Sequence, residues 1–253
     1  MKSVLADTSI RKKEIIVVDN GSKDGSVETI EKLINKKAIK LIKNNENLGF
    51  SKANNQGNRV AKGKYILLLN SDTLIQKGSL KKLIDFAQKH QDAGVVAARL
   101  LNKDGSLQSS CFNLPTIIRA VKQYWFHNGS PLDKFAPSTS DPVEVEAVVG
   151  AAMLITPKAI QKVGTLDERY FFYYEDLAYC RELKRVGLKV YYLPSVEVLH
   201  YHGVSGHGLT DTQNQWRRLI PSSKIYHGIV KHYIFNFILW SGQKVDALLG
   251  QSH

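Results

Sequence analysis

Lys64 to Asp72 reads KYILLLNSD, an apolar run that stops abruptly at Asn70, Ser71 and Asp72. Flanked by Gly63 and the polar NSDT, so short a run predicts a buried parallel strand. In an open α/β sheet, ligands gather just beyond the carboxyl ends of such strands. Asp72 is therefore expected at a ligand edge, where a carboxylate suits a divalent cation held against a diphosphate.

The flanking sequence fits that strand into an alternating pattern. Upstream, Met1 to Lys13 reads as a helical tail and then polar chain. Glu14 to Val18 (EIIVV) is a β-branched strand stopping at Asp19. The turn DNGSKDGS leads into a helix with Val27, Ile30, Leu33 and Ile34 on one face. Ala38 to Ile42 predicts a second strand, Asn44 to Phe50 a loop, and Ser51 to Ala61 a helix of small residues. Downstream of Asp72, a helix is expected over Ser79–His90 and a strand over Gly94–Leu101. This order predicts an α/β fold with a parallel sheet and right-handed crossovers.

The second half has a different grain. Asn102 to Gln108 reads as a hairpin turn with Asp104-Gly105 at its tip, and Ser130 to Pro142 as a Pro/Ser-rich loop. Between them, Leu114 to Gly129 has helical character. Val143 to Ile155 returns to the sheet through Gly150-Ala151-Ala152, and a helix is expected over Glu175–Val186. Val190–Leu193 and Val196–Leu199 read as two short strands ending at His200. From Thr212 onward the pattern is helical, with Ile225, Ile229, Tyr233, Phe237 and Trp240 on one face. The division expected is a main domain over 1–210 and a helical extension over 211–253.

At 253 residues and 43% hydrophobic content, the chain is long enough to bury a full core. Thirty-five Lys and Arg stand against 23 Asp and Glu, a net charge of +12. That balance suits anionic partners: nucleotide phosphates, nucleic acid or an anionic membrane surface. The basic pairs Lys36-Lys37, Lys81-Lys82 and Arg217-Arg218 are scattered and not interleaved with aromatics, which argues against nucleic acid. Cys111 and Cys180 have no metal-ligand spacing and read as buried free thiols of a reducing compartment. No signal peptide opens the chain and no apolar run is long enough to span a bilayer. A cytoplasmic protein is expected, peripheral on the inner face of the plasma membrane.

Six side chains could carry chemistry. Asp19 and Asp72 both end strands at one sheet edge, although each could merely cap its turn. Glu175-Asp176 follows the aromatic run Tyr170–Tyr174 and opens a helix. The helix dipole accounts for acids there, but the aromatics would also desolvate one and fit it for general-base duty. His200 and His202 follow a strand, where a neutral imidazole can join a carboxylate on a Mn-type metal. The sequence does not choose between them.

In order, EIIVVDNGSKDGSVE, NENLGFSKANNQG, YILLLNSDT, VGAAMLI and GTLDERYFFYYEDLAYCRELKRVGLKVYYLP…VLHYHGVS resemble the family 2 glycosyltransferases, in particular their bacterial rhamnosyltransferase-like branch. The resemblance covers about Ser3 to Ser205. It implies a GT-A fold, with a central mostly parallel sheet flanked by helices. It also implies inverting transfer from a nucleoside-diphosphate sugar to a saccharide or lipid-linked acceptor in cell-surface polysaccharide synthesis, with Mg or Mn as the divalent cation.

By the same resemblance, Asp19 matches the acid that contacts the nucleoside base. Asn45, Asn47, Gly49 and Asn54 match the segment lining the donor site, joined by Asn70, Ser71, Gly150 and Ala151. Asp72 matches the metal-binding acid, His200 the histidine that completes the metal shell in some relatives, and Asp176, beside Glu175, the catalytic base. Three departures stand out: Asn70 replaces the first acid of the DxD-type motif, Ala178 stands where relatives often carry another acid, and the first strand–helix unit has no counterpart. A catalytically impaired remnant that binds a nucleotide or a protein is the competing reading.

Overall fold

The computed structural model describes residues 1–34, 39–201 and 216–248. His202 and Gly203 therefore lie outside the described residues. The chain opens with α1 (Lys2–Ala6), β1 (Ile15–Asn20), α2 (Ser26–Ile34), β2 (Ile39–Asn44), α3 (Phe50–Val60), β3 (Ile66–Leu69) and β4 (Thr73–Ile75). It continues through α4 (Ser79–Lys89), β5 (Ala93–Leu101), β6 (Cys111–Phe112), α5 (Ile117–Tyr124), β7 (Val143–Val145), β8 (Ala147–Val148), β9 (Ala152–Ile155) and α6 (Pro157–Lys162). The last elements are α7 (Glu175–Arg185), β10 (Lys189–His200), α8 (Trp216–His227) and α9 (Ile229–Leu248).

The main sheet has the order β3-β9-β5-β10-β4, with β7 also pairing with β10. β5 is buried almost end to end, because helices cover both of its faces and its AGVVAARLL run need not alternate. Val95 and Ala97 pack with Ala159 of α6 and Leu177, Ala178 and Leu183 of α7. Val96, Ala98 and Leu100 pack on the other side with Leu80, Leu83 and Ala87 of α4. The result is a helix–sheet–helix sandwich of two cores sharing one sheet.

Three details depart from the sequence reading. First, β9 enters between β3 and β5 and runs against both. Leu69, the last residue of β3, faces Ala152, the first of β9. Since β9 starts where β3 ends, it can only run back. β3, β5 and β10 share one direction, as the strand–helix order requires. Second, the two short strands expected at 190–199 are one strand, β10, whose register with β5 shifts between Leu193 and Glu197. The shift coincides with Pro194, which has no N–H to give a ladder and forces a bulge rather than a break.

Third, β1 and β2 form a separate parallel pair. Among the described residues, β1 pairs only with β2, and β3 only with β9. Ile15–Val18 and Ile66–Leu69 both line one cavity of about 2510 Å³. The apolar side chains of β1 are in consequence only half-buried.

The C-terminal helices dock on the body. Ala120 of α5 packs with Phe235 and Ile238 of α9. Gly242 sits so close to Tyr124 that a Cβ would overlap its carbonyl oxygen. Arg181 of α7 stacks 3.9 Å over the Tyr226 ring of α8 and donates to the Tyr226 carbonyl at 2.7 Å. None of the described helices is long and apolar enough to cross a membrane.

Candidate active site

The cavity has an apolar floor between β1 and β3 and a polar mouth at the carboxyl ends of those strands. Asn70, Asp72, Gly150, Asp176 and His200 all line it. Chain connections bring them together. Asn70 follows β3 and donates its N–H to the Ala151 carbonyl at 3.0 Å. Gly150, one residue earlier, donates its N–H to Asp176 Oδ2 at 3.3 Å. On the other side, β10 pairs with β4 through His200 and Thr73, which sets His200 beside the Asn70–Asp72 turn.

His200 Nε2 lies 3.5 Å from Asp72 Oδ1 and 3.4 Å from Asn70 Nδ2, and both the His200 and the Asp72 side chain are almost fully buried. The other ring nitrogen, Nδ1, is 2.8 Å from Gln108 Oε1. Gln108 Nε2 already donates to Asn102 Oδ1 at 2.8 Å, so Oε1 is left to accept from Nδ1–H. With Nδ1 engaged by Gln108, Nε2 is the ring nitrogen that faces Asp72, as in a metal-ligating histidine held from behind. Among the described residues there is no cluster of three or more His, Cys, Asp or Glu that would cage an ion by itself. The pair suits a cation whose remaining ligands are water and phosphate oxygens.

Asp176 sits in the first turn of α7. Its Oδ1 accepts the Leu177 N–H at 2.8 Å. Burial raises its pKa above the ordinary aspartate range, offset in part by the Leu177 and Gly150 N–H groups and by the Lys134 charge. Glu175 points into the protein interior, 6% exposed, with Oε2 lacking a hydrogen-bond partner among the described residues. Burial, and then the Asp176 charge, push its pKa up to about 8. Just before this pair, Tyr173 and Tyr174 both take left-handed backbone (φ 72° and 69°), an uncommon conformation for bulky residues.

The other expected residues divide. Asn47, Gly49, Asn54, Ser71 and Ala151 lie on the cavity wall; Asp19 and Asn45 do not. Asp19 is buried, and its Oδ2 accepts from the Gly21 and Ser22 N–H groups at 3.2 Å each, the turn-capping use open to any Asp there. Asn45 is exposed. Gly49 brings α3 against the aromatic run: the Phe50 N–H donates to the Phe171 carbonyl at 2.8 Å, and Gly49 has φ 89°.

Three residues of the site escaped the sequence reading. Gln108 orients His200 across 92 positions of chain. Lys134, in the Pro/Ser-rich loop, reaches the cavity and acts on Asp176. Asn20 ties the β1 turn to the glycine loop, donating to Asn47 Oδ1 at 2.8 Å and accepting from the Leu48 N–H at 3.0 Å. Of the three, only Asn20 had a local signal, its place next to Asp19 at a strand end.

Against known proteins, the family model described as Glycosyl transferase family 2 matches residues 1–136. The N-acetylglucosaminyl-diphospho-decaprenol L-rhamnosyltransferase of Mycobacterium tuberculosis is 28% identical over 212 residues, 76% of this chain and 67% of that protein. A low-salt glycan biosynthesis hexosyltransferase of Haloferax volcanii is 24% identical over 200 residues, 74% of this chain and 58% of that protein. Among solved structures, GalNAc-T7 with UDP, GalNAc and Mn2+ superposes with a TM-score of 0.59 at 17% identity, covering 81% of this chain and 41% of that one. This chain thus spans about two thirds of the mycobacterial protein and less than half of the GalNAc-T7 chain.

Proposed function

The chain belongs to glycosyl transferase family 2, in a rhamnosyltransferase-like branch and with a GT-A fold, and from this we propose that it transfers a sugar with inversion from a nucleoside-diphosphate donor. The observation that carries the reading is the shared cavity of Asp72, His200 and Asp176. The acceptor is a hydroxyl of a saccharide or a lipid-linked saccharide in cell-surface glycan synthesis. The relatives' names support that class of reaction without fixing the sugar. In this reading α8 and α9 are a helical extension of the transferase body.

Asp72 and His200 would hold the divalent cation, Mg or Mn, as one carboxylate and one imidazole. When bound, such an ion neutralises the departing diphosphate. Gln108 holds the His200 ring so that Nε2 faces Asp72. The turn of Asn70 and Ser71, with Asn47, Gly49 and Asn54, lines the donor's side of the cavity. At Gly150 and Ala151 the wall is of small residues, so that the sugar can approach the backbone.

Asp176 takes the proton from the acceptor hydroxyl as the oxygen attacks the anomeric carbon. The bond to the diphosphate oxygen breaks on the opposite face, inverting the configuration. Its raised pKa strengthens it as a base, while the N–H groups of Leu177 and Gly150 fix its direction. A lipid-linked acceptor places the protein on the inner face of the plasma membrane, as a peripheral protein.

The test is transfer from UDP- and dTDP-sugars, with Mn or Mg, to lipid-linked and free saccharide acceptors, with product configuration read by NMR. An inverted product that is lost in Asp176→Asn is expected; a retained configuration overturns the mechanism. The open floor between β1 and β3 supports a second reading, nucleotide binding without transfer. Thermal stabilisation by nucleotide sugar with no turnover under any combination would establish that alternative.

A further inference from the structure

α9 is inverted for a helix lying on a water-facing body. Its buried side carries His232, Gly242 and Asp246 beside Phe235 and Ile238. Its outer side presents Val230, Tyr233, Ile234, Phe237, Trp240 and Leu248, with Val230 72% and Leu248 85% exposed. The spacing 230, 233/234, 237, 240 draws these into one stripe along the helix. A contiguous apolar stripe of this length marks an association surface, because leaving it in water forgoes the gain from burial. Trp125, whose indole donates to Ser241 Oγ at 2.9 Å, carries the stripe onto the end of α5.

The surrounding chemistry selects the occupant. The stripe is rich in Tyr, Phe and Trp, the side chains that settle at a membrane–water boundary. It is flanked by cations: Lys224 Nζ stands 5.3 Å over the Tyr233 ring, and Lys231 and Lys244 project from α9 itself. A second copy docking here would set these same cations against one another, whereas anionic headgroups would complement them and the +12 net charge of the chain. On its inner side α9 adjoins the candidate active site, since Phe235 and Leu239 line the same cavity as Asp72 and Asp176.

We propose that the outer face of α9 is the surface by which this protein lies on an anionic lipid bilayer, with the helix axis in the interfacial plane and the aromatic stripe at the headgroup–acyl boundary. The cavity then opens beside the membrane rather than away from it, and a lipid-linked acceptor reaches Asp176 past α9. The inference rests on the peripheral placement proposed above for its biological sense. Its test needs neither donor nor cation, so membrane binding and sugar transfer can fail separately.

The test is co-sedimentation of the full chain with vesicles of equimolar phosphatidylglycerol and phosphatidylcholine, and with vesicles of phosphatidylcholine alone. Binding to the anionic vesicles, weakened by salt, is expected. The double variant Phe237→Glu/Trp240→Glu should lose about tenfold or more in partitioning, with an unchanged circular dichroism melt because both positions are exposed. Should that variant misfold, quenching of tryptophan emission by brominated lipid gives an independent reading, and Trp240→Phe should reduce it. Absence of binding to anionic vesicles overturns the proposal. So does a lipid-free dimer that the double variant dissociates, since the stripe would then be an interface between copies.

Discussion

His200 Nε2 lies 3.5 Å from Asp72 Oδ1 while the opposite ring nitrogen donates to Gln108 Oε1 at 2.8 Å. The imidazole is thus held from behind with Nε2 toward the carboxylate. Gln108→Ala should weaken Mn binding about 10- to 100-fold, the usual cost of losing a partner that orients a ligand. His200→Ala should weaken it further. Titration of the purified protein with Mn, followed by calorimetry or electron paramagnetic resonance, measures both. Equal Mn affinity in wild type and His200→Ala would show that the pair does not hold the ion.

Asp176 combines a raised pKa with two N–H donors that fix its direction. Asp176→Asn is expected to cut kcat by roughly 10²- to 10⁴-fold, the range for a lost general base, with donor affinity little changed. In the wild type, kcat should fall on the acid side with a midpoint above ~4, the ordinary aspartate value, because burial makes the group easier to protonate. A pH–rate profile against a donor-binding isotherm separates the two effects.

Glu175 contributes to stability with the opposite sign from a salt-bridged acid. Its folded pKa is raised, to about 8, so ionising it opposes folding. Below the ordinary glutamate pKa both states are protonated and nothing is lost; as pH rises from there toward about 8, stability falls. Glu175→Gln should therefore leave the melting temperature unchanged near pH 4 and raise it at pH 8, by roughly 1–3 kcal/mol of stability. Melts at the two pH values check this; a variant that loses stability at pH 8 would contradict it.

Gly49 joins the glycine loop to the aromatic run. Its φ is 89°, and a Cβ there would lie 2.5 Å from the Phe171 carbonyl oxygen, the acceptor of the Phe50 N–H. Gly49→Ala should cost roughly 1–3 kcal/mol through backbone strain and overlap. It should also weaken nucleotide-sugar binding more than Gly78→Ala does, although Gly78 has a similar φ of 86°, because nothing stands within 4 Å of a Cβ at Gly78. Chemical denaturation and a binding isotherm on both variants distinguish shared backbone strain from the contact particular to Gly49.

Local sequence determined the elements and the stretch on which the site is built. The ILLL core of KYILLLNSD is β3, and Asn70, Ser71 and Asp72 follow it at the sheet edge, but the buried parallel setting expected of it does not hold: β3 is mostly half-buried, and its one partner among the described residues, β9, is antiparallel. The Glu175–Val186 helix was legible, down to its two acids in the first turn. Other features were not legible, since they depend on residues distant in the chain. That β9 runs against its neighbours follows from where Ala151 meets Asn70 and Ala152 faces Leu69. That β1 and β2 stand apart from the main sheet is a fact of strand partnership, which no property of EIIVV encodes.

What the sequence decided, then, were the α/β alternation, the family motifs in their order and the placing of Asp72, Asp176 and His200 at element ends. Only the tertiary structure decided that Gln108 would orient the ring of His200, that Asp19 would spend its carboxylate on a turn while Asn20 faced the loop, and that α9 would bury His232 and Asp246 while presenting Phe237 and Trp240. The physical reason is common to all three. Hydrophobic periodicity and turn chemistry act over a few residues and are written in the chain, whereas hydrogen-bond partnership and the choice of which helix face is covered are settled between segments that meet only on folding.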